Sequence, residues 1–108
     1  MTRIRSNAIA VIFVSQRNDA DAEGYAFAAE AMVAEAERQP GYLGIDSVRG
    51  ADGLGITVSY WADEASAIAW REHAGHSAIR DQGRADWYDA YDLHVARIER
   101  SYDWQRRG

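Results

Sequence analysis

One proline stands in the whole chain, Pro40, and with Gly41 it marks the border between two incompatible periodicities. Before it, residues 22–39 repeat apolar side chains at helical spacing, with Tyr25, Ala28, Ala29, Met32, Val33 and Ala36 on one face. After it come two short runs, 42–49 and 54–61, patterned as strands. A proline ring fixes φ, lacks an N–H and clashes with the preceding helical turn, so the helix must stop here. Gly50-Ala51-Asp52-Gly53 has the composition of a tight turn, which joins the two strands as a hairpin. In the second strand Thr57, Ser59 and Trp61 share one face while Ile56, Val58 and Tyr60 share the other.

The flanking segments complete the pattern. Residues 8–15 are a continuous apolar, β-branched run, as expected of a central strand covered on both faces. Asp63-Glu64 offer a cap and an acidic first turn to a helix through Ile68, Ala69, Trp70 and His73, with Gly75 as its expected break. Residues 76–84 read as a further short helix or irregular turn, and 88–102 as a long final strand. The order strand, helix, strand, strand, helix, strand is the α+β, ferredoxin-like βαββαβ domain with an antiparallel sheet. Such a domain carries helices on one sheet face only. Apolar side chains on the other face then require a partner, and a second copy of the same sheet, closing a dimeric α/β barrel, meets that need.

At 108 residues the chain is one domain, 1–108, with its core at about 8–101, a short N-terminal tail and an Arg-rich C-terminal tail ending in Arg106-Arg107. No apolar run approaches the roughly 20 residues that cross a bilayer, and the start lacks a small-residue cleavage site. A cytoplasmic location is the expectation, with no membrane partner. The net charge is −5, and twelve arginines are dispersed among seventeen acids. Nucleic acid demands a clustered basic surface, so it is not an expected partner. The chain has no cysteine and no lysine, which removes thiolate nucleophiles, thiolate metal sites and Schiff-base catalysis through a side chain.

Chemistry must therefore rest on aromatic, imidazole and guanidinium groups. Trp70, His73 and His76 recur at three-residue spacing, and Arg80 follows one turn later. Imidazole titrates near neutrality, so His73 and His76 are the candidates for moving a proton, His76 foremost. His73 and His76 alone cannot complete a metal site, and none is expected. Tyr25 could present a phenol to a pocket, although its place in the apolar stripe favours the core. His94 reads as structural or interfacial.

Gln39-Pro40-Gly41-Tyr42-Leu43-Gly44, the strand ending Val58-Ser59-Tyr60-Trp61, the acidic helix start and Ala69-Trp70 together resemble the antibiotic biosynthesis monooxygenase family, over about residues 8–100. The resemblance implies a dimeric α+β barrel and two kinds of chemistry: cofactor-independent oxygenation of polycyclic phenols, and oxidative haem degradation. Against the first, Trp61 falls on the family's strand-ending tryptophan and Arg80 on its arginine, whereas Thr57 replaces an asparagine and Ala67 a tyrosine. Against the second, Trp70 matches, but Arg80 stands where the axial histidine belongs, so haem is disfavoured and no bound cofactor is expected. Trp87-Tyr88 resembles a Trp-Tyr element of family members that also carry Trp-x-x-His-x-x-His.

The resulting expectation is a small cofactor-independent monooxygenase acting on an aromatic or quinol-type metabolite, and a homodimer. His76 and Arg80 would act in catalysis, with Trp61, Trp70, His73, Thr57 and Trp87 around the substrate. Other readings are a non-catalytic small-molecule-binding or stress-response module, an isomerase or lyase, and a haem-degrading enzyme.

Overall fold

The computed structural model describes residues 4–106, with residues 74–76 described by their backbone alone. The elements are β1 (Ile9–Arg17), α1 (Ala22–Glu37), β2 (Tyr42–Arg49), β3 (Leu54–Trp61), α2 (Glu64–Glu72), α3 (Ala74–Gln82), a π-helical turn (Gly83–Trp87) and β4 (Tyr88–Arg97). The four strands form one antiparallel sheet in the order β2-β3-β1-β4, so β1 is central as its apolar run predicts. This is the ferredoxin-like α+β fold. Among the described residues, no helix is long and apolar enough to cross a membrane.

Boundaries follow local chemistry. The hairpin forms as read, with Gly50 N–H donating to Leu54 O at 2.8 Å, Gly53 at φ 89, and Leu54 N–H donating to Asp52 Oδ1. Asp63 caps α2 by accepting the Ser66 N–H at 2.8 Å, and these hydrogen bonds from Ser66 hold its carboxyl below the usual carboxylate range. Helix α1 ends at Glu37, two residues before the expected Gln39, because the Arg38 and Gln39 N–H groups tighten onto Glu35 and Ala36 carbonyls ahead of Pro40.

Three expectations are corrected. The break after α2 falls at His73, whose backbone is extended at ψ 132, and Gly75 lies inside α3. Strand β1 begins at Ile9 and reaches Arg17, because β4 supplies partners as far as the Arg17–Tyr88 pair. Strand β4 stops at Arg97 instead of continuing to Tyr102. Ile9 is its last strand partner, and Asn7, at φ 69, turns the preceding segment away.

The sheet register defines rows of side chains across the helix-covered face. Tyr42, Trp61, Ile9 and Arg97 make one row, then Ile45, Ser59, Val11 and Val95, then Ser47, Thr57, Phe13 and Leu93, then Arg49, Gly55, Ser15 and Tyr91. The core concentrates at the first row, where Trp61 is fully buried among Ile9, Ala36, Ala67 and Trp70. Its ring stacks on Trp70 (5.8 Å, 24°), meets Tyr42 edge-on, and donates its indole N–H to Ser59 Oγ at 3.0 Å. Among the described residues no helix covers the opposite face: Val48 is 72% exposed and Ile56 42%, with Ile12, Val14, Val58 and Tyr60 beside them.

Gly41 closes the junction between helix layer and sheet. It adopts φ 82, its carbonyl accepts the Ala62 N–H at 2.7 Å, and a Cβ there would run into the Ser66 side chain. Gly41→Ala is expected to destabilise the fold by about 1–3 kcal/mol, read as a lower urea midpoint at unchanged m-value.

Candidate functional site

Between the core row and the far end of the sheet, helix α1 does not press fully onto the strands. Its inward residues Ala28, Ala29 and Val33 are small where the sheet presents Val11, Ser47 and Thr57, and a cavity of about 180 Å³ remains. Trp70 walls it beside the Trp61 stack, Ile79 and Arg80 of α3 enter from the side, and Tyr25, Trp87, Tyr88 and Tyr91 wall it at the end where α1 begins. The lining is predominantly apolar. An apolar cavity of about 150 Å³ takes benzene, so the space here suits an aromatic of one or two rings.

Five of the residues singled out by sequence line this cavity: Tyr25, Thr57, Trp70, Arg80 and Trp87. Thr57 Oγ1 and Ser47 Oγ hydrogen-bond each other at 2.6 Å, which makes this part of the sheet floor self-satisfied. Arg80 Nε is buried without a hydrogen bond and lies 3.8 Å from Asp81 Oδ1, a weak ion pair on a partly exposed side chain. Trp87 is buried, crosses Tyr25 edge-on at 5.6 Å, and its indole N–H faces Asp21 Oδ2 at 3.4 Å.

The other candidates are placed differently. Trp61 sits behind Trp70 and does not line the cavity, because the core row encloses it completely. His73 also stands outside. The extended backbone that ends α2 turns its ring against Trp70 (5.5 Å) and sets Nε2 4.0 Å from Glu35 Oε1. His76 falls in the first turn of α3, and its side chain lies outside the described residues. His94 is exposed on the uncovered sheet face, 3.6 Å from Asp92 Oδ1. Among the described residues, no imidazole or carboxylate lines the cavity and no three His, Asp or Glu side chains converge as a metal would require.

Sequence reading missed a polar cluster at the tyrosine end. Arg49, at the end of β2, donates from Nη2 to Ser15 Oγ (2.8 Å) and Tyr25 Oη (3.0 Å), and from Nη1 to the carbonyls of Ser15 (3.2 Å) and Gly53 (2.5 Å). Arg17 lies over the Tyr25 ring at 4.0 Å. Burial pushes the Tyr88 phenol above its ordinary range, reinforced by a hydrogen-bonding interaction with Tyr25 and opposed by Arg49 and Arg17. The available signal was positional: Arg49 and Ser15 occupy inward-facing strand positions, where a charge or hydroxyl must find partners.

A free tyrosine ionises near pH 10, whereas folded Tyr88 holds its proton to higher pH. Its contribution to stability is therefore complete below about pH 10 and is lost as pH rises toward the folded value, where only the unfolded chain has released the proton. Tyr88→Phe is expected to show a shallower fall of urea midpoint between about pH 9 and about pH 11 than the unsubstituted protein.

Residues 8–82 match the family model for antibiotic biosynthesis monooxygenase. A curated relative, the uncharacterized protein YqjZ of Bacillus subtilis, is 48% identical over 91 residues, which is 84% of this chain and 79% of that protein. Among solved structures, SnoaB, a cofactor-independent oxygenase from Streptomyces nogalater, superimposes with a TM-score of 0.71 at 14% identity, covering 94% of this chain and 97% of SnoaB. A conserved protein from Methanosarcina mazei Go1 gives a TM-score of 0.75 at 13% identity, over 84% of this chain and 92% of its own. At such identities the structural likeness speaks for the fold.

Proposed function

The chain belongs to the antibiotic biosynthesis monooxygenase family, and on that premise we propose that it is a cofactor-independent monooxygenase for a small phenol or quinol-type aromatic. The observation that carries this reading is the apolar, aromatic-walled cavity of about 180 Å³ with a guanidinium, Arg80, at its side.

The chemistry needs little from the protein. A phenol with a free ring position is oxidised to a quinone while O2 gives one atom to that carbon and one to water. The organic substrate supplies all four electrons, so no external reductant enters the balance. The difficult part is to ionise the phenol, so that it becomes electron-rich enough to pass an electron to O2, and to keep water away. Trp70, Phe13, Met32 and Val11 exclude water and hold the ring. Arg80 favours the phenolate by its charge and stabilises it as an ion pair.

With no acid or imidazole among the described lining residues, the released proton would pass by the Arg80 side to solvent. SnoaB, a cofactor-independent oxygenase, supports the reading by its fold. The same lack of a described base favours one other reading, a binding module that holds an aromatic without turning it over.

Oxygen uptake separates the two. One- and two-ring phenols and quinols are expected to support stoichiometric O2 consumption and quinone formation, with three-ring anthrones poorer substrates. Arg80→Ala should lower kcat/KM by about 10–100-fold, or roughly 1.4–2.7 kcal/mol of transition-state stabilisation. Tight binding with no oxygen consumed across the panel would leave the binding module.

The uncovered sheet face is the proposed seat of a second copy, as in the family's dimeric barrels. A dimer mass is expected by light scattering at micromolar concentration. Val48→Asp combined with Ile56→Asp, both already exposed in one copy, should yield a folded monomer.

A further inference from the structure

The tyrosine end of the cavity is more than a wall, because its hydrogen bonds leave the Tyr25 proton without an acceptor among the described residues. Arg49 spends both Nη groups on fixed partners: Ser15 O and Gly53 O from Nη1, Ser15 Oγ and Tyr25 Oη from Nη2. It is therefore a strut and holds the Tyr25 hydroxyl oxygen as an acceptor. A phenol oxygen has one O–H to give and two lone pairs to receive with. Among the described residues the Tyr25 oxygen accepts from Arg49, its O–H makes no hydrogen bond, and Tyr25 lines the cavity. A donor beside an apolar cavity, its oxygen turned toward Arg49 as an acceptor, selects a ligand that carries an acceptor there.

We propose that the Tyr25 hydroxyl, positioned by Arg49, donates a hydrogen bond to a carbonyl or phenolate oxygen of the one- or two-ring aromatic held in the cavity. The inference rests on the cavity being the ligand site, as in the proposed function, and adds the oxygen substituent that the ligand must carry. Tyr25 touches the ligand in this assignment, while Arg49 acts through Tyr25 and is a positioning residue. The cavity then has an apolar body of Trp70, Phe13 and Met32 and one polar end that reads ring orientation.

Binding, and not turnover, tests this, using the full chain and the probe pair 1,4-naphthoquinone and naphthalene. The quinone is acceptor-only, and the chain has no cysteine or lysine to add to it. The unsubstituted protein is expected to bind naphthoquinone at least about tenfold more tightly than naphthalene, equivalent to about 1.4 kcal/mol. Tyr25→Phe, which keeps the ring, should bring the two affinities within about twofold by weakening the quinone alone. Arg49→Met should weaken the quinone and spare naphthalene, whereas a merely structural role would weaken both. Equal affinities in the unsubstituted protein, no binding of either probe, or a preference that survives Tyr25→Phe would overturn the proposal. Preference for the quinone without any oxygen uptake on the phenol panel would sink the oxygenase reading and leave this one standing.

Discussion

The stacked pair Trp61–Trp70 is the contact on which the rest of the arrangement depends. Trp61 ends β3, Trp70 sits in the last turns of α2, and their rings meet at 5.8 Å with Ile9, Ala36 and Ala67 closed around them. Burial of two indoles is the largest apolar contribution available to a small domain, and it joins the central strand, α1, α2 and the hairpin at one corner. The polar atom that this burial would strand, the Trp61 N–H, is satisfied within the same strand by Ser59. Once α2 is pinned there, the chain must turn at His73, and the following helix carries Arg80 back along α1.

The cavity is a consequence of this one-ended packing. Indole rings fill the first row and further rings gather where α1 begins, while the rows between are met by Ala28, Ala29 and Val33, which are too short to fill the gap. Protein interiors are otherwise packed as densely as organic crystals, so space of about 180 Å³ is a departure from ordinary packing in a domain of 108 residues. The far end is held by a different kind of contact. Arg49 there links the β2–β3 hairpin, β1 and the start of α1 through hydrogen bonds that are all satisfied. A dry aromatic corner and a polar corner thus keep the helix layer apart from the middle of the sheet.

Much of the framework was legible because its punctuation is chemical and local. Pro40-Gly41 and Gly50–Gly53 delimit β2 and β3 to the residue, since a missing N–H and positive φ values act within a turn. The ends of β1 and β4 were not legible in the same way. Alternation persists beyond Arg97, but a strand ends where its neighbour leaves, and that is a long-range fact. The site shows the same division. Thr57, Trp87 and Arg80, which line the cavity, were named from motif resemblance, and strand alternation put Thr57 on the face of Trp61. His73 shares a helical face with Trp70 in the spacing, yet the break in the backbone at His73 turns it toward Glu35.

What the sequence determined by itself is the order of elements, the hairpin, the caps and the class of chemistry left to a chain without cysteine or lysine. Each follows from φ restrictions, hydrogen-bond inventory or side-chain periodicity acting over a few residues. Tertiary structure alone decided that Trp61 is core, that Trp70 is both core and wall, and that Tyr25 leaves the apolar stripe to meet Arg49. Tyr25 and Arg49 are twenty-four positions apart and on different elements. Their meeting depends on strand register and on where the indole pair sets the helix, and no local pattern carries that information.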